Sequence, residues 1–459
     1  MVSRRVRRRR TEFAVGGFLF LVVIIYLAAF SGGSGPPTAS TSTTSTSAGH
    51  ATLADQHFPT NSPLNPDWKG NGHTVTLGFG GDVHFEGVVG EKLAQNPSTA
   101  LGTTIPQLFS GSNLSMVNLE TAVTEGTCPE PQNKQYIFDA PASAITALKS
   151  ASISLATEAN DHGFDCGPQG LSQNLTVATQ DTYPIIGIGD HAAQAFTPYR
   201  VTLNGQRIAI IAATQVIANN LVGTWTASAT QPGVASAIDP TALVRVVQQV
   251  RKTADTVIVY VHWGTETQSC PNPQQEPLAQ QLVNAGADVV VGSDAHVLSG
   301  AGYLGSAYVD YGLGNFAFYD NQAPETDSGS LILTAQGRHI TSAVWRPATI
   351  VSGLPQPLTG QPATAAIDSW NSARGCTNLQ AKASTSVATL KGETKAFVAP
   401  PTTTTTSSAT GTSGNTGATT TTTTTSSAGA TTTSSTRATT TTTTSPASTT
   451  TRPTDNAGG

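Results

Sequence analysis

The sequence predicts an α/β domain built on mixed sheets. Short apolar runs of strand length alternate along the middle of the chain with amphipathic stretches of helical length. Hairpins interrupt that alternation, so antiparallel pairs must join parallel ones. A third observation bears on function: several of these strands end in aspartate, asparagine, glutamate or histidine. Strand-to-loop junctions are where open α/β sheets hold ligands, because a side chain there is anchored by the sheet yet faces a crevice.

The first strand is the apolar run within Thr74 to Gly87, TVTLGFGGDVHFEG, which stops at two glycines and delivers Asp82 and then His84. PSTALGTTIPQLFS has mixed helical character, and LSMVNLE is a short strand ending at Asn118 and Glu120. PASAITALKS starts as a helix with proline in its first turn. The next strand, ASISLAT, runs into EANDHGFDCG with Asn160, Asp161 and His162. A helix from about Pro168 to Thr179 leads to YPIIGIG, and YRVTLNGQRIAIIAAT reads as a hairpin turning at Asn204 and Gly205. A helix from Asp239 or Pro240 to Lys252 precedes DTVIVYVHWGTE, which carries His262 and Glu266. Another near Gln275 to Ala285, stopped by Gly286, precedes ADVVVGSDAH with Asp294 and His296. AYVDYGLGNF and GSLILTAQGRHITSAVWRP close the domain as strands.

Neither end of the chain can build a core. Residues 1–12 hold six arginines between positions 4 and 10, and Phe13 to Phe30 follows without a charge. Such a run, about 18 residues at about 1.5 Å each, just crosses a bilayer as a helix. Residues 13–30 are therefore expected to be a signal anchor, with residues 1–12 cytoplasmic and the rest outside. A cleaved signal peptide is the alternative; the length of the run and the lack of a clean A-x-A site speak against it. Residues 31–69 read as a Ser/Thr/Gly/Pro-rich linker, 70–395 as the folded domain, and 396–459 as a disordered threonine-rich tail. Without the six arginines, 17 basic residues face 28 acidic ones, a net charge of about −11. That balance excludes a nucleic-acid partner, which needs a basic footprint. Cys128, Cys166, Cys270 and Cys376 all fall on the outer side. Their spacing suits no cysteine-based zinc motif and reads as up to two disulfides, with three connectivities open.

Parallel neighbours place their carboxyl ends on one edge, so the polar strand ends converge in one crevice. Carboxylates, neutral imidazoles and a carboxamide suit a divalent manganese, iron or zinc ion. Asp82 is a candidate bridge between two ions about 3.5 to 4 Å apart. On extended backbone, residues i and i+2 point the same way, which sets Asp82 beside His84 and Asp294 beside His296. Blander readings stand next to these. His191 and His339 are assigned only loop hydrogen bonds. Asp161 serves equally as a turn cap, and Glu266 equally as an orienter of His262. Packing and a tight turn account for Trp263 and Gly264. Asn174 with Thr176 fits a glycosylation sequon. Asp82, His162, His262 and His296 resist such readings, because four of the nine histidines stand at strand ends beside acids.

GFGGDVHFEG, MVNLET, ATEANDHGFDCGPQGL, VHWGTE, GADVVVGSDAHVLSG and YGLGNF occur in this order over about residues 74–320. In order and approximate spacing they resemble the CapA family, the poly-γ-glutamate capsule biosynthesis proteins. The resemblance implies a calcineurin-like metallophosphoesterase fold, a four-layer sandwich of mixed sheets flanked by helices. It implies one or two divalent ions on Asp82, His84, Glu120, Asn160, His262, Asp294 and His296. His162, Asp161 and Glu266 are then the candidate catalytic residues, and Asn118, Trp263 and Asn315 the candidate substrate contacts. Two positions depart from the pattern: Asp294 stands where the family usually has the first histidine of His-x-His, and Asp161 where asparagine or a neutral residue is common. The motif loops also imply a Cys128–Cys166 bridge, leaving Cys270 with Cys376. The expected function is synthesis, export or attachment of an anionic surface polymer at the cell membrane, with other membrane-bound synthesis subunits as partners. The alternatives are a metal-dependent phosphoesterase of envelope metabolites and a non-catalytic polymer-binding assembly subunit.

Overall fold

The computed structural model describes residues 60–319 and 322–384. The expected anchor 13–30, the basic segment before it and the threonine-rich tail lie outside these residues. Among the described residues no helix is long and apolar enough to cross a membrane.

Strand β1 (Val75–Val83) starts with regular alternation, its Val75, Leu77 and Phe79 entering one core. The alternation then breaks. Between Phe79 and Asp82 the strand advances three residues while its neighbour β2 (Leu114–Leu119) advances two, from Met116 to Asn118. One extra residue in a strand reverses the faces beyond it. Val83 therefore packs into a different core from Phe79, and Asp82 points where Phe79 pointed. The bulge falls on Gly80 and Gly81 for a steric reason: a Cβ on Gly81 would lie 1.8 Å from the Gly314 carbonyl oxygen.

After β1 the chain forms α1 (Gly87–Gln95), β2, α2 (Ser143–Ser150), β3 (Leu155–Thr157), α3 (Gly167–Gln180) and β4 (Ile185–Ile186). It then crosses to a second sheet through the hairpin β5 (Tyr199–Leu203) and β6 (Gln206–Thr214). Asn204 and Gly205 turn that hairpin with φ of 50° and 74°, as a type I′ turn requires. There follow α4 (Thr241–Arg251), β7 (Thr256–Trp263), α5 (Gln275–Ala285), β8 (Val289–Asp294) and the hairpin β9 (Ala301–Leu304) and β10 (Ala307–Asp310). The chain returns to the first sheet with β11 (Asn315–Ala317), β12 (Asp327–Gln336), β13 (His339–Val351) and β14 (Leu354–Pro357), and ends in α6 (Gly360–Ala373).

The first sheet runs β14-β13-β12-β1-β2-β3-β4, with β11 also paired to β1, and the second runs β9-β10-β8-β7-β6-β5. Both are mixed: β1, β2, β3 and β4 pair in parallel, as do β6, β7, β8 and β10, while the hairpin strands are antiparallel. Leu77 and Phe79 of the first sheet share a core with Ile210 and Tyr260 of the second, so the sheets face each other. Val89, Leu93 and Ile145 cover the first sheet's other face, and Leu243, Val247 and Leu282 cover the second's. The order is helices, sheet, sheet, helices, the four-layer sandwich that the resemblance implied.

Two segments differ from the sequence reading. The packed part starts before residue 70, because Trp68 donates from Nε1 to Asp255 Oδ1 at 2.8 Å and its carbonyl accepts from the Arg338 N–H at 2.8 Å. A linker-like composition thus conceals one aromatic anchor. Helix α6 was not anticipated. Its sequence, GQPATAAIDSWNSA, has little apolar periodicity and buries chiefly Trp370, whose ring stacks on Trp345 with centroids 5.3 Å apart.

Candidate metal centre

The two sheets present their polar strand ends to one another. Asp82 stands in register with Asn118 on one side and Asn315 on the other. Asn118 Nδ2 donates to Asp82 Oδ1 at 2.9 Å and to Glu120 Oε2 at 3.1 Å, and lies 3.3 Å from His262 Nδ1. From the second sheet, His262 Nε2 lies 3.0 Å from Asp294 Oδ1 and 3.3 Å from Asp161 Oδ1. Its Nδ1 is 3.2 Å from Ser293 Oγ. The Asp294 N–H points to Asp82 Oδ2 at 3.4 Å. His296 reaches Asp82 Oδ2 at 3.5 Å through Nδ1 and Glu120 Oε1 at 3.7 Å through Nε2. Asp294 and His296 hold φ of 101° and 57°. Left-handed backbone in two residues with side chains is the kind of local strain that concentrates at functional sites.

Burial pushes the Glu120 carboxyl well up, and the adjacent Asp82 charge adds to the effect. Burial acts on Asp82 in the same sense, but the hydrogen bond and charge of His296, with the charge of His262, outweigh it and hold that carboxyl below its usual range. Burial pushes His262 and His296 down, yet the carboxylates around them raise both well above the ordinary imidazole value. The crevice therefore draws positive charge. Its donors fit a divalent cation. Atoms from Asp82, Glu120 and His262, from Glu120, Asp161 and His162, and from Asp161, His262 and Asp294 lie, within each set, no more than 4.8 Å apart. Two donors about 2.1 Å from one ion are separated by about 3 to 4 Å, so small adjustments close each set.

Not every anticipated residue joins the cluster. His84 lies in an aromatic box, stacked on Phe318 at 3.7 Å and edge-on to Phe138 at 5.0 Å. Its Nε2 accepts the Tyr319 N–H at 3.1 Å, and burial pushes its pKa down to about 3. The i, i+2 rule does not reach His84 because β1 ends at Val83, so His84 no longer sits on strand backbone. Trp263 faces away from the site. It follows His262 on a regular strand and so points to the opposite face, where Nε1 donates to the Tyr311 carbonyl at 3.0 Å. Glu266 is exposed in the turn after β7 and takes no part in orienting His262. Asn118 and Asn315 are buried positioning groups rather than surface contacts; Asn315 Oδ1 holds His296 Nδ1 at 2.9 Å. Asn160 engages both ends of its amide, donating to Asn118 Oδ1 and Leu119 O at 2.8 Å and accepting the His162 N–H at 2.9 Å. Asn174 is buried against Glu158, so the sequon is not presented to solvent.

Two residues beside the cluster escaped the sequence reading. Asp165 Oδ2 lies 2.6 Å from His162 Nδ1 and accepts the Phe138 N–H at 2.7 Å, which fixes the imidazole against the ring of Phe138. Its position three residues after His162 was the available signal. Lys134, in an aperiodic loop, lies 3.1 Å from Asp165 Oδ1 and 3.5 Å from Asp161 Oδ2; nothing in the local sequence marks it. The cysteines pair as Cys128–Cys166, which ties this loop to α3, and as Cys270–Cys376, which ties the loop after β7 to the segment after α6.

Comparison with known proteins adds a family. The profile of the bacterial capsule synthesis protein PGA_cap matches residues 76–320, just over half of the chain. The chain is 28% identical over 255 residues to the PGA biosynthesis protein CapA of Bacillus subtilis, covering 55% of this chain and 66% of that protein. It is 29% identical over 234 residues to the capsule biosynthesis protein CapA of Bacillus anthracis, covering 50% and 55%. It thus spans between half and two thirds of these curated relatives. A solved structure of a hypothetical protein from Thermus thermophilus overlaps 60% of this chain and 100% of its own, with 14% identity and a TM-score of 0.39.

Proposed function

The chain belongs to the bacterial capsule synthesis protein PGA_cap family, and on that premise we propose that it is an accessory of surface-polymer synthesis, export or attachment. The polymer in this reading is poly-γ-glutamate or an analogous anionic chain. Residues 13–30 hold the protein in a membrane, and the folded domain works on the outer side beside membrane-bound synthesis subunits. The site carries out metal-assisted hydrolysis or transfer.

The observation that supports this chemistry is the buried donor cluster shared by the two sheets. Asp82, Glu120 and His262 would hold a divalent cation, which supplies Lewis-acid charge and eases the deprotonation of water. Asn118 keeps Asp82, Glu120 and His262 in mutual position through one amide. His162, held at Nδ1 by Asp165, presents Nε2 beside Asp161 at 3.6 Å and passes a proton from that atom to the leaving group. A cation held there would offset the crevice's negative charge and so favour an anionic polymer.

The test uses the purified full chain. Bound manganese, iron and zinc are measured by mass spectrometry, and cleavage of a γ-glutamyl polymer and of a phosphoester probe is followed beside Asp82→Asn and His262→Ala. Metal close to stoichiometric is expected, with turnover reduced by about 100-fold or more in both variants. Metal-free protein whose turnover is the same in all three forms overturns the reading.

A further inference from the structure

Asp161, one of the two positions that depart from the family pattern, is also the acid that Lys134 faces. The Lys134 ammonium lies 3.5 Å from Asp161 Oδ2, 3.1 Å from Asp165 Oδ1 and 3.3 Å from His162 Nδ1, and it donates to the Asp161 carbonyl. It sits 5.2 Å above the Trp225 ring, with its side chain only 11% exposed. Asp161 belongs to two of the three donor sets, with Glu120 and His162 and with His262 and Asp294. The Asp82, Glu120 and His262 set does not include it.

We propose that Lys134 is an internal counter-cation that competes with a divalent ion for Asp161, so that the centre holds one ion firmly at Asp82, Glu120 and His262 and admits a second at its Asp161 end only weakly. The inference rests on the metal-binding reading of the site and refines it. A cation bound at Asp161 would lie within a few ångströms of the ammonium in surroundings that screen charge poorly, and the two would repel. Lys134 is also not free to leave. Asp165 Oδ1 is buried without a hydrogen-bond partner among the described residues, and the ammonium is the charge that compensates it. Displacing Lys134 therefore breaks its pairing with Asp161 and strips the cation from Asp165 Oδ1.

Titration calorimetry of Mn²⁺ into the full chain tests this, with thermal denaturation run on every variant. The wild type is expected to show one tight and one weak event. Lys134→Gln should tighten the weak event by about tenfold or more and leave the tight one unchanged. Lys134→Arg, which keeps the charge, should behave as the wild type. Asp161→Asn should abolish the weak event alone, and this arm stands even where Lys134→Gln fails to fold. A folded Lys134→Gln whose weak event is unchanged, weaker or absent overturns the inference and leaves the metal centre intact. Tightening by Lys134→Arg to the extent seen in Lys134→Gln overturns it as well, as does a weak event that persists in Asp161→Asn. Absence of any Mn²⁺ binding to the wild type overturns the metal reading itself, and this inference with it.

Discussion

Asn118 shows how much of the centre depends on one neutral side chain. Its amide nitrogen stands between Asp82, Glu120 and His262, and its oxygen is held by Asn160. A group of this kind orients ligands without being one, and losing such a partner typically weakens metal binding by about 10 to 100-fold. Asn118→Ala is expected to weaken Mn²⁺ binding to that extent in calorimetry while the circular dichroism spectrum stays the same. Unchanged affinity would show that the carboxylates hold their positions unaided. The polarity of Asn118 and its place at a strand end were legible in the sequence, but its role was not, because only the folded chain shows which acceptors surround an amide. Trp263 teaches the reverse lesson. Its direction was legible, since a residue adjacent to an inward histidine on a regular strand must point outward.

The loop between β2 and α2 matters as an element rather than for any one residue. Its ordering draws on the parallel pairing of Ala122–Thr124 with Asp139–Pro141, the Cys128–Cys166 bridge, the Gln132 N–H donating to the Asp165 carbonyl at 2.9 Å, and the Phe138 N–H donating to Asp165 Oδ2. The bridge closes a sequence separation of 38 residues, for which chain entropy alone gives about 4 kcal/mol. Replacing both cysteines with alanine is expected to lower unfolding stability by that amount in urea titrations, and a change below about 0.5 kcal/mol would contradict it. Elements with a strong local pattern could be read from sequence, β7 as an apolar run buried at every position and α5 by the helical spacing of Leu278, Leu282 and Ala285. This loop has none. Its order comes from a covalent bridge and polar contacts made across the fold, which is why Lys134 could not be foreseen.

At the scale of the molecule, the facing of two sheets creates both the crevice and an electrostatic cost. Asp310, on β10, is fully buried; its Oδ1 accepts the Gly312 N–H at 2.9 Å and burial pushes its pKa up to about 8. In the unfolded chain a carboxyl titrates near 4. Below about pH 4 the group is neutral in both states, and its contribution to stability is complete. Between about pH 4 and 8 the unfolded chain releases a proton that the folded one keeps, so stability falls by roughly 1 kcal/mol per pH unit and then levels off. Asp310→Asn should lack this slope, and its stability relative to the wild type in urea unfolding should rise from pH 5 to pH 8. A pH-independent difference would mean that Asp310 ionises normally. By itself the sequence determined the alternation of strands and helices and the chemical kinds of side chain at the strand ends, because both are written in local periodicity and local composition. Only the tertiary structure decided which of those side chains meet. The bulge at Gly80 and Gly81 turns Asp82 toward the second sheet, the end of β1 at Val83 leaves His84 in an aromatic box, and the stapled loop brings Lys134 to Asp161. Each of these depends on register and on contacts between residues distant in the chain, which no local pattern encodes.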